Sequence, residues 1–160
     1  MPIYLKIAPI NGQSTATGHD KELEIDHFSS SVSLQMHSNA KSNGERTSGR
    51  SDVQPITCSR IMDSASPLIM EYCAAAKDVE SAILTVEREN AGASLNIVTY
   101  TLSNVYFSQY NVGVSSTGDA QESFTLDFAK INVKYNAQSK DGNDLGAALF
   151  DWDMTKNSTK

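Results

Sequence analysis

The sequence is poor in the features that mark membrane proteins and disulfide-stapled or metal-stapled proteins. It has two cysteines, Cys58 and Cys73, and neither lies in a CxxC or another metal-ligand spacing, so we expect two buried or half-buried free thiols. No stretch approaches the ~20 consecutive apolar residues that a membrane-spanning helix needs. The first residues lack the basic and then apolar pattern of a cleaved signal peptide. We therefore expect a protein made in the cytoplasm that, if exported, leaves by a route that needs no signal peptide.

Positive charge is also scarce. The chain carries 13 Lys and Arg against 19 Asp and Glu, a net charge of −6. An acidic chain repels the phosphates of nucleic acids and of anionic lipids, so we expect neither nucleic-acid binding nor membrane insertion. With 160 residues, 39% of them hydrophobic, the chain can bury a core without staples, and we predict a single domain over 1–160.

Signatures of catalysis and cofactor binding are missing as well. The sequence has no GxSxG, GxxxxGK[ST] or GxGxxG, and its histidines, His19, His27 and His37, form no HxH or HExxH; we interpret them as solvated or structurally hydrogen-bonded. Asp151 and Asp153 flank Trp152, which favours an outward-facing strand end over an acid pair for sugar hydrolysis. We predict no catalytic residues, no metal site and no cofactor.

Alternation of apolar and polar residues dominates what is present, and it predicts strands over 3–7, 23–36, 52–59, 81–89, 95–112, 122–137 and 150–154. One helix is expected after Ser66 as N-cap, with Pro67 at its first position. The apolar parity slips near 103–104 and again between Phe128 and Ile131, which predicts bulges and a strongly coiled sheet. The pattern indicates a mainly-β fold, a small closed barrel of about seven to nine strands with one short helix packed against it, or a sandwich.

Two charged sets and one serine set are candidate interaction surfaces. Residues 37–51 contain no large apolar side chain and predict a long exposed loop. Its basic residues would dock on an acidic face of an identical copy, and such heterologous contacts build rings or filaments. A solvated or interface role is favoured for that face over a cation site. The basic set is Lys41, Arg46 and Arg50, and the acidic set, at strand spacing, is Asp20, Glu22, Glu24 and Asp26.

Several segments resemble, in order, a known family. They are 3–7 (IYLKI), Gly12-x-Ser14, Glu24-Ile25-Asp26, 59–68 (SRIMDSASPL), 122–131 (ESFTLDFAKI) with Tyr135, and 150–153 (FDWD). The chain resembles Hcp, the hemolysin-coregulated protein family, which forms the inner tube of type VI secretion systems. The resemblance implies a homohexameric ring that stacks head to tail and is secreted when a sheath contracts. Its implied partners are a spike protein at the tip, sheath and baseplate proteins, and small effectors in the lumen.

A serine-rich strand face, at Ser29, Ser31 and Ser33, is the candidate lining of that lumen. Two alternatives remain open. A monomeric β-sandwich that binds a carbohydrate or another ligand would need an aromatic platform, for which Tyr106, Tyr110 and Trp152 are the candidates. A phage-like tail-tube protein would share the ring architecture.

Overall fold

The alternating segments form strands in a computed structural model that describes residues 1–38, 46–90, 93–138 and 144–159. Over these residues the chain forms ten strands and one helix, in the order β1 (Ile3–Lys6), β2 (Leu23–Glu24), β3 (His27–Ser29), β4 (Val32–Ser38), β5 (Arg46–Val53), β6 (Ile56–Ile61), α1 (Ser66–Ala74), β7 (Asp78–Asn90), β8 (Ala93–Gly113), β9 (Gln121–Gln138) and β10 (Asp144–Asp153).

Eight of these strands form one antiparallel sheet that curls into a half-barrel. Its order is β2-β1-β7-β8-β9-β6-β3, with β10 also paired to β9. The two ends of the sheet, β2 and β3, are joined by only residues 25–26. The amide of Ile25 donates to Ile3 on one side, and the amide of Asp26 donates to Ser59 on the other. The expected mainly-β, barrel-like fold with one helix is confirmed.

The predicted parity slips in β8 and β9 are both present, and β7 shares them. The predicted bulges at these positions are wrong, because β8 keeps an unbroken pairing register with β7 and β9 from Leu102 to Val105. The buried side chains change parity between Leu102 and Val105, and Asn104 between them has a φ of 52°. Their partners on β7 and β9 change parity at the same level. Leu102 pairs with Ala82 and Ile131, and Val105 pairs with Val79 and Phe128. Because all three strands change parity together, the pairing register is the same before and after the change. The change of parity bends the sheet.

The single helix packs against β8 and buries Ile69 in the core. Both predictions for the start of the helix are off by one residue: Pro67 is the second helical residue rather than the first, and Ser66 is not the N-cap. Ser66 is the first helical residue, and Ala65 takes the cap position. The reason is local: the buried Ser66 hydroxyl accepts a hydrogen bond from the Asp63 amide at 3.1 Å, so it faces back into the preceding turn.

Two other expectations need correction. The strand expected over 23–36 is divided into β2, β3 and β4, because the chain must cross from its pairing with β1 to its pairing with β6. The described part of the long loop expected over 37–51 is strand. Residues 37–38 end β4 and residues 46–51 begin β5, and the two strands pair as a separate hairpin, with Leu34 opposite Ser51. Backbone pairing supplies the order that the missing apolar side chains could not. Residues 39–45 of that loop lie outside the described residues.

Candidate functional site

The predicted acidic set does not form one strand face. Asp20 is exposed in the turn before β2, and Glu24 and Asp26 are exposed at the junction between β2 and β3. Glu22 differs, because its carboxylate contacts the Nδ1 atom of His19 at 2.6 Å and is largely covered. The expectation of four equivalent carboxylates is therefore wrong, since β2 is only two residues long and cannot align all four. Three of the four remain open to solvent.

Two residues of the basic set, Arg46 and Arg50, lie on β5 of the β4–β5 hairpin. Lys41 lies outside the described residues, and Arg46 is the first residue of β5. Arg50 is exposed, and its Nη2 atom donates to the backbone carbonyl of Met154 at 2.8 Å. The hydroxyl of Ser51 adds a bond to the side chain of Asn157 at 3.2 Å. These contacts tie the hairpin to the segment that follows β10, and no contact among the described residues joins Arg50 to the acidic set.

Asp153 shapes the turn on which that hairpin rests. Its Oδ1 atom accepts hydrogen bonds from the Thr155 hydroxyl at 2.5 Å, the Thr155 amide at 2.9 Å and the Lys156 amide at 3.3 Å. The hydrogen bond from Thr155 is the main cause that lowers the pKa of Asp153 to about 2. Asp151 accepts a bond from Asn132 at 2.6 Å. Both carboxylates therefore have structural partners. The expected strand end is present, but it is not outward-facing at Asp153, which is buried.

The candidate lumen serines all lie on exposed positions. Ser29 ends β3, Ser31 lies in the connection to β4, and Ser33 is on β4. The neighbouring apolar side chains on β4, Val32 and Leu34, are also exposed, at 59% and 49%. The hairpin thus presents both hydroxyl and apolar side chains to its surroundings.

Large apolar side chains are also exposed on β10, which pairs with β9 alone among the described residues. Leu149 is 65% exposed, and it lies opposite Lys134. Phe150 stacks on Trp152 with ring centroids 6.4 Å apart, and Tyr135 of β9 is half exposed. An edge strand with large apolar side chains is a natural site for contact with another chain.

The aromatic platform that the ligand-binding alternative would need is not formed. Tyr110 and Trp152 pack against the core, whereas Tyr106 is exposed, because the register shift between Phe107 and Gln109 turns Tyr110 to the other face of β8. Tyr110 also donates its hydroxyl to Glu122 at 2.7 Å. Burial, with this hydrogen bond second, raises the pKa of Tyr110 to about 12. The three rings cannot stack side by side on one sugar.

A buried charge centre lies beside a cavity, and no sequence motif predicted it. Arg60 is 2% exposed; its Nε atom lies 3.0 Å from Glu122, and its Nη2 atom pairs with Asp63. Arg60 and Glu122 line a cavity of about 830 Å³ below the β8–β9 turn. Their inward direction could have been predicted from the sequence, because Arg60 continues the alternation of the buried residues Ile56 and Cys58. Glu122 does the same on β9 and lies directly opposite Arg60.

The described ranges contain neither a membrane-spanning helix nor a metal-binding cluster. No helix there is long and apolar enough to cross a membrane. No three His, Cys, Asp or Glu side chains are grouped there so as to hold a metal ion.

These observations define a class: a mainly-β protein with a curled sheet, one helix, a projecting hairpin and an open apolar edge. The chain belongs to the Hcp family, since residues 4–135 match the family described as "Type VI secretion system effector, Hcp". It is thus a tube or effector protein of the type VI secretion system, and the predicted family is confirmed.

Individual relatives match this chain over almost its full length. Protein hcp1 of Pseudomonas aeruginosa is 26% identical over 157 residues, which is 97% of this chain and 96% of that protein. A solved structure of a type six secretion system protein matches with a TM-score of 0.92 at 20% identity and covers 99% of both chains. Hcp1 from Salmonella typhimurium matches with a TM-score of 0.76 at 25% identity, over 99% of this chain and 98% of that one.

Proposed function

We propose that this chain is the structural subunit of a type VI inner tube. Six copies form a ring, and rings stack head to tail. The tube is expelled when a surrounding sheath contracts, with a spike protein at its tip, baseplate proteins at its origin and small effectors in its lumen. The protein reaches the medium or a target cell by this route, and its role is structural rather than catalytic. The observation that supports this most is the family match over residues 4–135.

The exposed apolar edge supports assembly of identical copies. Leu149 on β10, and Val32 and Leu34 on the hairpin, would each gain from burial at roughly 25 cal/mol for every Å² covered. These residues lie on different elements, so one copy offers β10 and the hairpin to different neighbours. A contact between unlike surfaces of identical chains generates a closed ring or a stack.

The charges support the same arrangement. Arg50 on the hairpin is exposed, and so are Asp20, Glu24 and Asp26 near β2. Because Arg50 bonds to a backbone carbonyl rather than to a carboxylate, these opposite charges remain available between copies. Charge complementarity would set the orientation of stacking more than its strength.

The ring contact is tested by substituting Leu149→Asp and measuring the mass of the particle by light scattering after size exclusion. We expect the wild-type protein at six times the chain mass of 17.4 kDa and the variant at the chain mass, because a buried, unpaired carboxylate opposes the contact. Ser116→Asp, in the exposed β8–β9 turn, adds the same charge and should leave the ring intact. If the Leu149→Asp variant still formed rings, β10 would not be part of the ring contact.

The roles of the hairpin and of the serines are tested separately. Deleting residues 38–51, which removes most of the hairpin, should leave folded protein that stacks poorly; tubes formed by this variant would contradict a docking role.

The substitution Ser31→Trp should spare ring assembly but reduce the amount of effector that co-purifies, since a smooth hydroxyl lining becomes obstructed. Unchanged co-purification would place the lumen on another face.

A further inference from the structure

His19 is held between two carboxylates in the segment that joins β1 to β2. Its Nδ1 atom lies 2.6 Å from Glu22 in the same segment, and its Nε2 atom lies 2.8 Å from Glu87 on β7. The ring stacks on Tyr4 of β1, with centroids 4.1 Å apart and planes within 8°. His19 and Glu87 are both buried. Three groups from three different parts of the chain are thus assembled around one imidazole.

This geometry selects one charge state of the histidine. A neutral imidazole has one N–H, so its other nitrogen would turn a lone pair toward a carboxylate. The imidazolium donates from both nitrogens and satisfies both carboxylates at once. Burial acts most strongly on the pKa of His19 and lowers it, but the hydrogen bonds and charges of Glu22 and Glu87 outweigh burial and raise the pKa above its usual value.

The groups that face the ring explain why the carboxylates outweigh burial in their effect on the pKa of His19. Glu22 faces it from the same segment, Glu87 from β7 and the phenol of Tyr4 from β1. The charges of Glu24 on β2 and Glu89 on β7 also reach Tyr4. Every one of these groups is acidic, so the surroundings favour a cation at His19.

The bond between His19 and Glu87 fastens a loop to the sheet. Residues 12–22 fold on themselves, with the Gly12 amide donating to Lys21 and the Lys21 amide donating to Ser14, both at 2.8 Å. The side chain of His19 extends from this loop to Glu87, near the C-terminal end of β7. Losing one proton would leave one of the two carboxylates facing a lone pair and would weaken this fastening.

We propose that His19, Glu22 and Glu87 form a pH-sensitive clip that closes the loop 12–22 onto β7 while the imidazole is doubly protonated and releases it on deprotonation. The clip is a property of one chain and does not depend on the proposed tube assembly. A histidine whose pKa rises on folding stabilises the fold fully below its unfolded value of ~6.5. That contribution is lost as the pH rises through the higher value of the folded state, so the clip opens on the alkaline side.

The test combines histidine NMR with hydrogen exchange on the intact protein. Isotope labelling of the three histidines allows each to be titrated between weakly acid and alkaline pH. We expect the midpoint of His19 to lie above that of the exposed His27. The rate of amide hydrogen exchange in residues 12–22 is corrected for the intrinsic effect of pH and compared with the rate at the centre of β8. As the pH rises through the midpoint of His19, the corrected rate of the loop should increase about tenfold, as expected for a lost charge-assisted hydrogen bond.

Variants separate the clip from general instability. Glu87→Gln keeps the shape and a weaker hydrogen bond, and it should lower the midpoint of His19 while the circular dichroism stays unchanged. His19→Gln should leave the loop in fast exchange at every pH, whereas His27→Gln should behave as the wild type. A His19 midpoint at or below that of His27, or loop exchange that ignores the His19 titration, would overturn the proposal.

Discussion

Arg60 and Glu122 face each other across β6 and β9, with Asp63 and Tyr110 as further partners. Their inward direction follows from strand parity alone, since each continues a run of buried alternating residues. His19 could not be located in the same way. It lies in a loop without periodicity, and its partner Glu87 is far away in the chain. Parity therefore predicts which side chains turn inward on strands, whereas the contacts of loops depend on the folded chain.

At this scale we predict that Arg60→Met destabilises the protein by about 3–5 kcal/mol, because it leaves the buried carboxylate of Glu122 without its cation. Urea unfolding measures the change in free energy. The double variant Arg60→Met with Glu122→Met should recover part of the loss, since both charges are then absent. The exposed pair of Lys77 and Glu71 supplies the control, and Lys77→Ala should have no measurable effect. An Arg60→Met variant as stable as this control would contradict the account.

A second residue-scale prediction concerns Gly12, whose missing side chain allows the loop 12–22 to close. A Cβ there would lie 2.8 Å from the carbonyl carbon of Glu22 and 2.9 Å from the Cα of Leu23, both backbone atoms. We expect Gly12→Ala to cost about 1–3 kcal/mol in thermal unfolding, because neither atom can move aside easily. Gly113→Ala is the matched control, since nothing lies within 4 Å of its Cβ. Equal unfolding temperatures for the two variants would refute this.

At the scale of elements, the strands β7, β8 and β9 were predicted well because their length and alternation leave little choice of structure. Most of β5 was not, since its residues 46–51 include no large apolar side chain and its order comes from backbone pairing with β4. Its attachment to the turn after β10, through Arg50 and Met154, joins segments more than a hundred residues apart. Local pattern carries no information on such a contact.

The common bend of the three long strands gives an element-scale prediction. Asn104 lies at the bend with a φ of 52°, a conformation that asparagine tolerates and β-branched residues resist. Asn104→Val should therefore destabilise the protein by about 1–2 kcal/mol, while Asn104→Gly should be nearly neutral. Chemical denaturation of both variants measures this. If valine were tolerated as well as glycine, the positive φ would not be what the bend requires.

For the whole molecule, family membership could be inferred from ordered short segments, and the fold class from strand periodicity. The surfaces were harder to predict. Four carboxylates at strand spacing suggested one acidic face, yet a two-residue strand and the contact between Glu22 and His19 divide them. The open edge of β10 became visible only once strand order was known. Assembly depends on these surfaces, so it is the part of the account that most needs a direct measurement.

That measurement is negative-stain electron microscopy of the purified protein at neutral pH and moderate salt. The account predicts rings with six-fold symmetry and a central lumen, either separate or stacked into tubes. Particles that remain monomeric at high protein concentration would contradict it, because a tube subunit must associate with its own copies.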